Sequence, residues 1–268
     1  MSGRLVAAAT GGLVPEEASV AQALLEPLDG AAGATAGPSN GAATTAGLVA
    51  ALDEDRSEQA LHVRAFLAAG FAPLAVLDTM VHVVTRRDAH PAAARDAARA
   101  TIRPWTRGDP VLVRVLEASY EATRDCPGLC GLRRTEDIIA GHLASGRYEP
   151  SLWSILHVNG VPSGALLLGA SHAGDGLDLI YLGLAAAVRG RGYGALLVEH
   201  AVRHAAARRE PRVCLAVDRA NTPAVRLYER FGFRATTSRL AMIRRVRALD
   251  PPRDDASPRS QGADDQSR

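Results

Sequence analysis

Apolar and polar positions change their period several times along the chain, and each change marks an element. Over 110–124, Val111, Leu112, Val115, Leu116 and Ala118 recur at helical spacing, so this stretch predicts an amphipathic helix. A second helix is predicted over Thr135–Ala144, after turn-rich sequence at 126–131. The period then shortens. Compact apolar runs at 153–158 and 164–170 flank Asn159-Gly160, a dipeptide suited to the positive φ angles of a tight hairpin turn. There follow a strand over 177–184, a helix over 190–208, a strand over 213–217 and a helix over 222–230 with Pro223 near its start. The last apolar stretch, 233–246, predicts two further strands.

This order predicts an α/β fold, with a mixed, mostly antiparallel central sheet flanked by helices on both faces. An Ala/Arg stretch at 92–104 reads as a helix and separates an N-terminal region, 1–95, from a second domain, 105–248. Residues 30–47 are almost only Gly, Ala, Thr, Ser, Pro and Asn, and predict a disordered loop. The Pro- and Asp-rich residues 249–268 predict a disordered tail.

Composition narrows the chemistry. Basic and acidic side chains nearly balance, 31 against 29, and the basic ones are scattered, so no nucleic-acid or membrane footprint is expected. All 31 basic residues are arginine, which excludes Schiff-base chemistry and a lysine nucleophile. Cys126, Cys130 and Cys214 are too few for a disulfide framework or a structural zinc site, and read as reduced thiols of a cytoplasmic protein. No apolar run approaches the ~18 residues of a membrane span.

Arg189-Gly190-Arg191-Gly192-Tyr193-Gly194 stands where a strand gives way to a helix. Backbone N–H groups and the positive helix end converge there, which suits a diphosphate. Glycine lets the backbone approach phosphate oxygens, and Arg189 and Arg191 add charged donors. Two other readings fit the same residues. One is a plain tight turn; the other is a dinucleotide fingerprint through Gly190, Gly192 and Ala195, with Asp218 as ribose acid and a nucleotide-dependent oxidoreductase as the function. The dinucleotide fold needs several more strand–helix units than the chain has left.

The order hairpin, strand, Arg189-x-x-Gly192-x-Gly194, helix, strand, Asn221, then Tyr228 ahead of Gly232-Phe233 resembles the GNAT acetyltransferase superfamily over about 106–246. The resemblance implies acetyl-CoA as co-substrate, with its pyrophosphate cradled by residues 189–194. It implies that the strand through Tyr181, Leu182, Gly183 and Leu184 offers backbone groups to the pantetheine arm, and that Asn221 binds the same arm. Tyr228 would protonate the departing thiolate, and packing is its alternative role; for Asn221 the alternative is a helix N-cap. The acceptor would be an amine of a small molecule or peptide, attacked directly, and no metal is required. His200 and His204 have metal-ligand spacing without a third ligand. Glu117 and Asp178 are candidate bases with nothing to separate them from surface carboxylates. A non-catalytic acyl-CoA-binding module is the rival from another class. Oligomeric state is not legible.

Residues 66–71, F-L-A-A-G-F, align without a gap on 228–233, Y-E-R-F-G-F, with Arg64 opposite Arg226. This predicts that 14–84 is the remnant of a first GNAT-like unit, a tandem plan like that of mycothiol-synthase-like members. Phe66 replaces the tyrosine and nothing before it resembles the pyrophosphate loop, so that copy would be catalytically dead. An unrelated helix–Gly–strand junction is the alternative.

Overall fold

A computed structural model describes residues 19–25, 58–89, 99–145, 147–171 and 174–246; the loop expected over 30–47 and the tail expected over 249–268 lie outside them. The elements are β1 (Ser19–Leu25), α1 (Glu58–Ala68), β2 (Ala72–Val83), β3 (Ala100–Pro104), α2 (Val111–Tyr120), α3 (Thr135–Ala144), β4 (Trp153–Val158), β5 (Val161–Ala170), β6 (Leu177–Leu184), α4 (Tyr193–Ala207), β7 (Arg212–Asp218), α5 (Thr222–Arg230) and β8 (Arg234–Val246). Among the described residues the strands form one sheet in the order β1-β8-β2-β7-β6-β5-β4-β3. The expected mixed α/β architecture holds: β6 and β7 run parallel and the other neighbours antiparallel. A dinucleotide fold needs a run of parallel strand–helix units, which this sheet does not contain.

The β4–β5 hairpin turns at Asn159 and Gly160, both at positive φ (51° and 79°), as the dipeptide requires. Every residue from Ser163 to Ala170 on β5 is buried, so both faces of the sheet are covered at its middle. Helix α2 buries Val111, Leu112, Val115, Leu116 and Ser119 and packs across β5 and β6. Helix α4 buries Tyr193, Leu197, Val198, Ala201, Val202 and Ala205 and packs across β6 and β7. Trp153, Phe233, Leu112, Leu116 and Leu166 belong to one continuous core.

Two expectations are corrected. Residues 100–104 are strand rather than helix, pairing with β4 from Ala100↔Val158 to Pro104↔Ser154. The β-branched Thr101 and Ile102 and the constraint Pro104 puts on the residue before it outweigh the helix-forming alanines upstream. Residues 234–246 are a single long strand rather than two, because no Gly, Pro or Asn interrupts them.

β2 lies between β7 and β8, so a strand from the N-terminal third sits inside the sheet. The junctions at 66–71 and 228–233 have the same geometry. Phe71 N–H donates to Phe66 O at 3.0 Å and Phe233 N–H to Tyr228 O at 3.1 Å. Gly70 and Gly232 hold φ of 82° and 81°, the left-handed turn that ends a helix. Laying Phe66 on Tyr228 carries Ala72 onto Arg234, Val81 onto Ile243 and Leu77 onto Arg239. The β2–β8 register obeys that exchange: Ala72↔Ile243 mirrors Val81↔Arg234, and Leu77↔Arg239 maps onto itself. The bulged residues, Leu74 and Thr236, also exchange. β1 borders β8 as β7 borders β2, which gives the outer four strands a local two-fold pattern.

Met80 on β2 is 2% exposed within the main core. Met80→Ala is expected to lower unfolding free energy by about 2–5 kcal/mol in urea denaturation. A polar residue at Val83, 69% exposed on the same strand, is expected to stay within about 0.5 kcal/mol of wild type.

Candidate active site

The site begins where the sheet opens. β6 and β7 pair only at Leu177↔Val213, Asp178↔Cys214 and Leu179↔Leu215, and beyond Leu179 they part. β5 stays paired with β6 as far as Leu184. From Ile180 to Leu184, therefore, β6 is bonded as a strand on one side only, among the described residues, and its other edge faces a gap. Leu182, Gly183 and Leu184 lie on this one-sided stretch.

At the far end of β6 the chain passes through a short turn, Ala186–Val188, into the Gly-rich loop and α4. Gly190 and Gly192 have φ of 74° and 85°, and a Cβ at either position would meet nothing within 4 Å, so backbone conformation alone demands glycine there. Gly194 is different: a Cβ would lie 3.1 Å from Leu227 Cδ2, so glycine lets α4 approach α5 closely. Among the described residues, the N–H groups of Gly190, Arg191, Gly192, Tyr193 and Gly194 donate to no backbone acceptor. Five successive N–H groups without a backbone acceptor among the described residues, at the positive end of a 15-residue helix, are an arrangement that can hold an anion.

The loop's side chains divide the work. Arg189 turns inward, donating from Nε to Leu184 O at 3.0 Å, from Nη1 to Ala122 O at 3.1 Å and from Nη2 to Ser119 O at 2.7 Å. Its guanidinium thus ties the loop to β6 and to the end of α2, where unpaired carbonyls need donors. Arg191 is exposed, with no protein partner among the described residues. Tyr193 puts its ring in the core, leaving its N–H to the loop.

Two phenols stand near the gap. Tyr181 is folded back over Gly183, where a Cβ would lie 2.7 Å from ring atoms. Ser119 Oγ donates to Leu116 O at 2.6 Å, so Tyr181 must be the donor in its 2.5 Å contact with Ser119 Oγ. Burial pushes the Tyr181 hydroxyl up to about 12, with the charge of Asp125 adding to the effect. Tyr228 on α5 packs its ring on Phe233, centroids 5.7 Å apart, and is 7% exposed. Its hydroxyl makes no hydrogen bond to the described residues; burial, and then Asp125, hold its proton more tightly than usual.

Asn221 stands at the N-cap position of α5, yet its side chain makes no capping bond. Burial raises the proton affinity of the Asp125 carboxyl, and the Asn221 side chain acts the other way. Asp218 is not poised for a ribose. Its Oδ2 accepts from Cys126 N–H at 3.2 Å and its Oδ1 from Ala220 N–H at 2.9 Å. Asp125 Oδ1 in turn accepts from Asp218 N–H at 3.2 Å. Sequence reasoning passed over Asp125, because Arg124-Asp125-Cys126-Pro127 reads as ordinary turn composition and only folding brings it to the end of β7.

The earlier candidate bases lie elsewhere. Glu117 accepts from Thr135 Oγ1 at 3.3 Å between α2 and α3, and Asp178 sits opposite Gly169 and Cys214 in the closed part of the sheet. The thiols of Cys126 and Cys214 are both pushed up, chiefly by burial. His200 and His204 lie ring to ring at 5.9 Å, and no group of three or more metal-binding side chains occurs among the described residues. No helix among the described residues is long and apolar enough to cross a membrane.

Residues 97–233 match the model of the acetyltransferase (GNAT) family. The chain is 32% identical over 171 residues to a mycothiol acetyltransferase from Acidothermus cellulolyticus, covering 61% of this chain and 48% of that protein. It is 30% identical over 125 residues to the peptidyl-lysine N-acetyltransferase YjaB from Salmonella typhimurium, covering 47% of this chain and 76% of that one. In fold it is similar to a GCN5-related N-acetyltransferase from Sphaerobacter thermophilus, with a TM-score of 0.54 at 19% identity over 87% of this chain and 61% of that chain. The chain spans about half the length of the mycothiol acetyltransferase it matches.

Because Gly192 is held at φ 85° in open space, Gly192→Val is expected to distort the loop at a stability cost of about 1–3 kcal/mol. Calorimetric affinity for CoA is expected to fall about tenfold or more, the loss of one or two charge-assisted hydrogen bonds.

Proposed function

We propose that this chain, which belongs to the GNAT acetyltransferase family, is an N-acetyltransferase that moves an acetyl group from acetyl-CoA to an amine of a small molecule or peptide. The observation that carries the reading is the run of N–H groups at 190–194 without backbone acceptors among the described residues, at the end of the strand β6 that parts from β7. A diphosphate suits the loop in charge and in hydrogen-bond capacity: α4 supplies a positive end and Arg191 a free guanidinium. The one-sided edge at Leu182, Gly183 and Leu184 suits the amides of a pantetheine arm, which would bond to it as an added strand does.

In this reading the uncharged amine attacks the thioester carbonyl directly, the C–N bond forms, and the C–S bond breaks. Sulfur leaves easily, since a thiol has pKa ~8.5. Tyr228, held protonated by burial, is always available to donate a hydrogen bond to the sulfur as charge develops on it. The raised thiol pKa of Cys214 speaks for direct attack rather than an acyl-enzyme. Three unpaired cysteines agree with a reducing, cytoplasmic setting. Tyr228→Phe is expected to lower kcat about 10²-fold while the calorimetric affinity for acetyl-CoA stays within about twofold. Unchanged kcat would assign the ring to packing; tight acetyl-CoA binding without turnover on any amine would favour a non-catalytic acyl-CoA-binding module.

The N-terminal region, expected over 1–95, reads as a diverged copy of the unit that ends the catalytic domain. The matching bulges at Leu74 and Thr236 and the matching paired extents of β2 and β8 support this, because two unrelated junctions have no reason to share them. Phe66 lacks the phenol and no sequence like 189–194 precedes it, so each chain is expected to bind one acetyl-CoA. Calorimetric stoichiometry checks this, for wild type and for Phe66→Tyr alike; two equivalents in either would contradict it.

A further inference from the structure

We propose that Asp125 is the proton acceptor for the attacking amine, held in place by the end of β7; this rests on the acetyl-transfer reading above. The loop after α2 and the end of β7 clasp each other in both directions. Asp218 N–H donates to Asp125 Oδ1 at 3.2 Å, and Cys126 N–H donates to Asp218 Oδ2 at the same distance. Asp125 N–H is turned back onto Thr123 Oγ1 at 3.1 Å. The carboxylate is therefore fixed without being saturated. An ionised carboxylate has about four lone-pair sites, and the bond from Asp218 uses one.

Its place is as informative as its rigidity. The loop that carries it ties the end of β6 to the end of β7: Arg189, itself bonded to Leu184 O, donates to Ala122 O, and Asp218 N–H donates to Asp125. The residue keeps an exposed face, so a substrate has access, while protein surrounds the carboxyl closely enough to strip hydration from it. Desolvation and the neighbouring charge of Asp218 lift its affinity for a proton above that of an ordinary aspartate, against the hydrogen bonds that lower it. Among the described residues, the other titratable groups tied to this loop or stacked on Tyr181 are Asp218, Cys126, Tyr120, Tyr228, Arg189 and His142, and burial lowers the His142 imidazole to about 4, which leaves it a weak proton acceptor. Asp218 is 5% exposed with both oxygens bonded. Arg189 is bonded to three carbonyls, and the phenols and the buried thiol hold their protons too tightly to be bases at neutral pH.

The proton balance closes. The bound ammonium gives one proton to the Asp125 carboxylate, and the freed amine attacks the carbonyl carbon. As the C–S bond breaks its electron pair leaves with sulfur, which takes a proton from Tyr228 or from solvent, while nitrogen gives up its second proton to solvent. Solvent then restores Tyr228 and removes the proton from Asp125, leaving amide, free CoA and one proton.

The test compares wild type, Asp125→Asn and Asp125→Glu in acetyl-CoA-dependent assays with glucosamine, L-cysteine methyl ester and a lysine tetrapeptide, and with hydroxylamine, which is largely unprotonated at neutral pH. For the most reactive basic amine, Asp125→Asn is expected to lower kcat/KM about 10²-fold or more and to move the acidic limb of the pH profile up to the amine's own ionisation range. Asp125→Glu is expected to recover part of the rate and keep the wild-type limb. The defect with hydroxylamine should be smaller, and calorimetric affinity for acetyl-CoA near that of wild type. An unchanged acidic limb in Asp125→Asn, or an equal defect with hydroxylamine, overturns the assignment. If wild type binds acetyl-CoA yet acetylates none of these amines, Asp125 is not a base and the transfer reading falls with it; if wild type does not bind acetyl-CoA, the cofactor reading itself has failed.

Discussion

The rest of the site depends on a sheet that stops pairing partway along two parallel strands. β6 and β7 share three residue pairs and then diverge, which leaves one edge of β6 unsatisfied in the middle of an otherwise closed eight-stranded sheet. An unpaired edge inside a protein is costly unless something bonds to it. Here the opening lies between helices α2 and α4, beside a loop whose own N–H groups are also free. The two sets of unmet donors and acceptors explain each other if one extended, anionic molecule satisfies both.

Holding such an opening apart takes rigid supports, and the structure has two. On one side Arg189 bonds three carbonyls, so the Gly-rich loop cannot drift from α2. On the other, the reciprocal bonds of Asp125, Cys126 and Asp218 pin the end of β7 to the loop after α2. α2 is anchored in turn by Leu112 and Leu116 in the core. Supports of this kind are what a preorganised site needs, since every group that must meet the substrate is positioned before it arrives.

Much of the architecture was legible because it is local. The Asn159-Gly160 turn, the helical spacing of α2 and the glycines ahead of α4 are each written within a few residues. What escaped was non-local. Strand β3 was hidden by the alanines before it, and the unity of β8 by its length. The insertion of β2 between β7 and β8 is a matter of register between distant segments, which no periodicity reports. At the site, the sequence locates the Gly-rich loop but not the direction of a side chain. Arg189 looks like a phosphate ligand and is a carbonyl clamp, while Asp125 looks like turn filler and is bonded to the end of β7.

The claim beneath all of this is that the amides at the head of α4 bind a diphosphate. Amide NMR during a titration with CoA addresses it residue by residue. The N–H signals of Gly190, Arg191, Gly192, Tyr193 and Gly194 should shift together and saturate, along with those of Leu182, Gly183 and Leu184. Shifts confined to other residues, or none at all in folded protein, would contradict it.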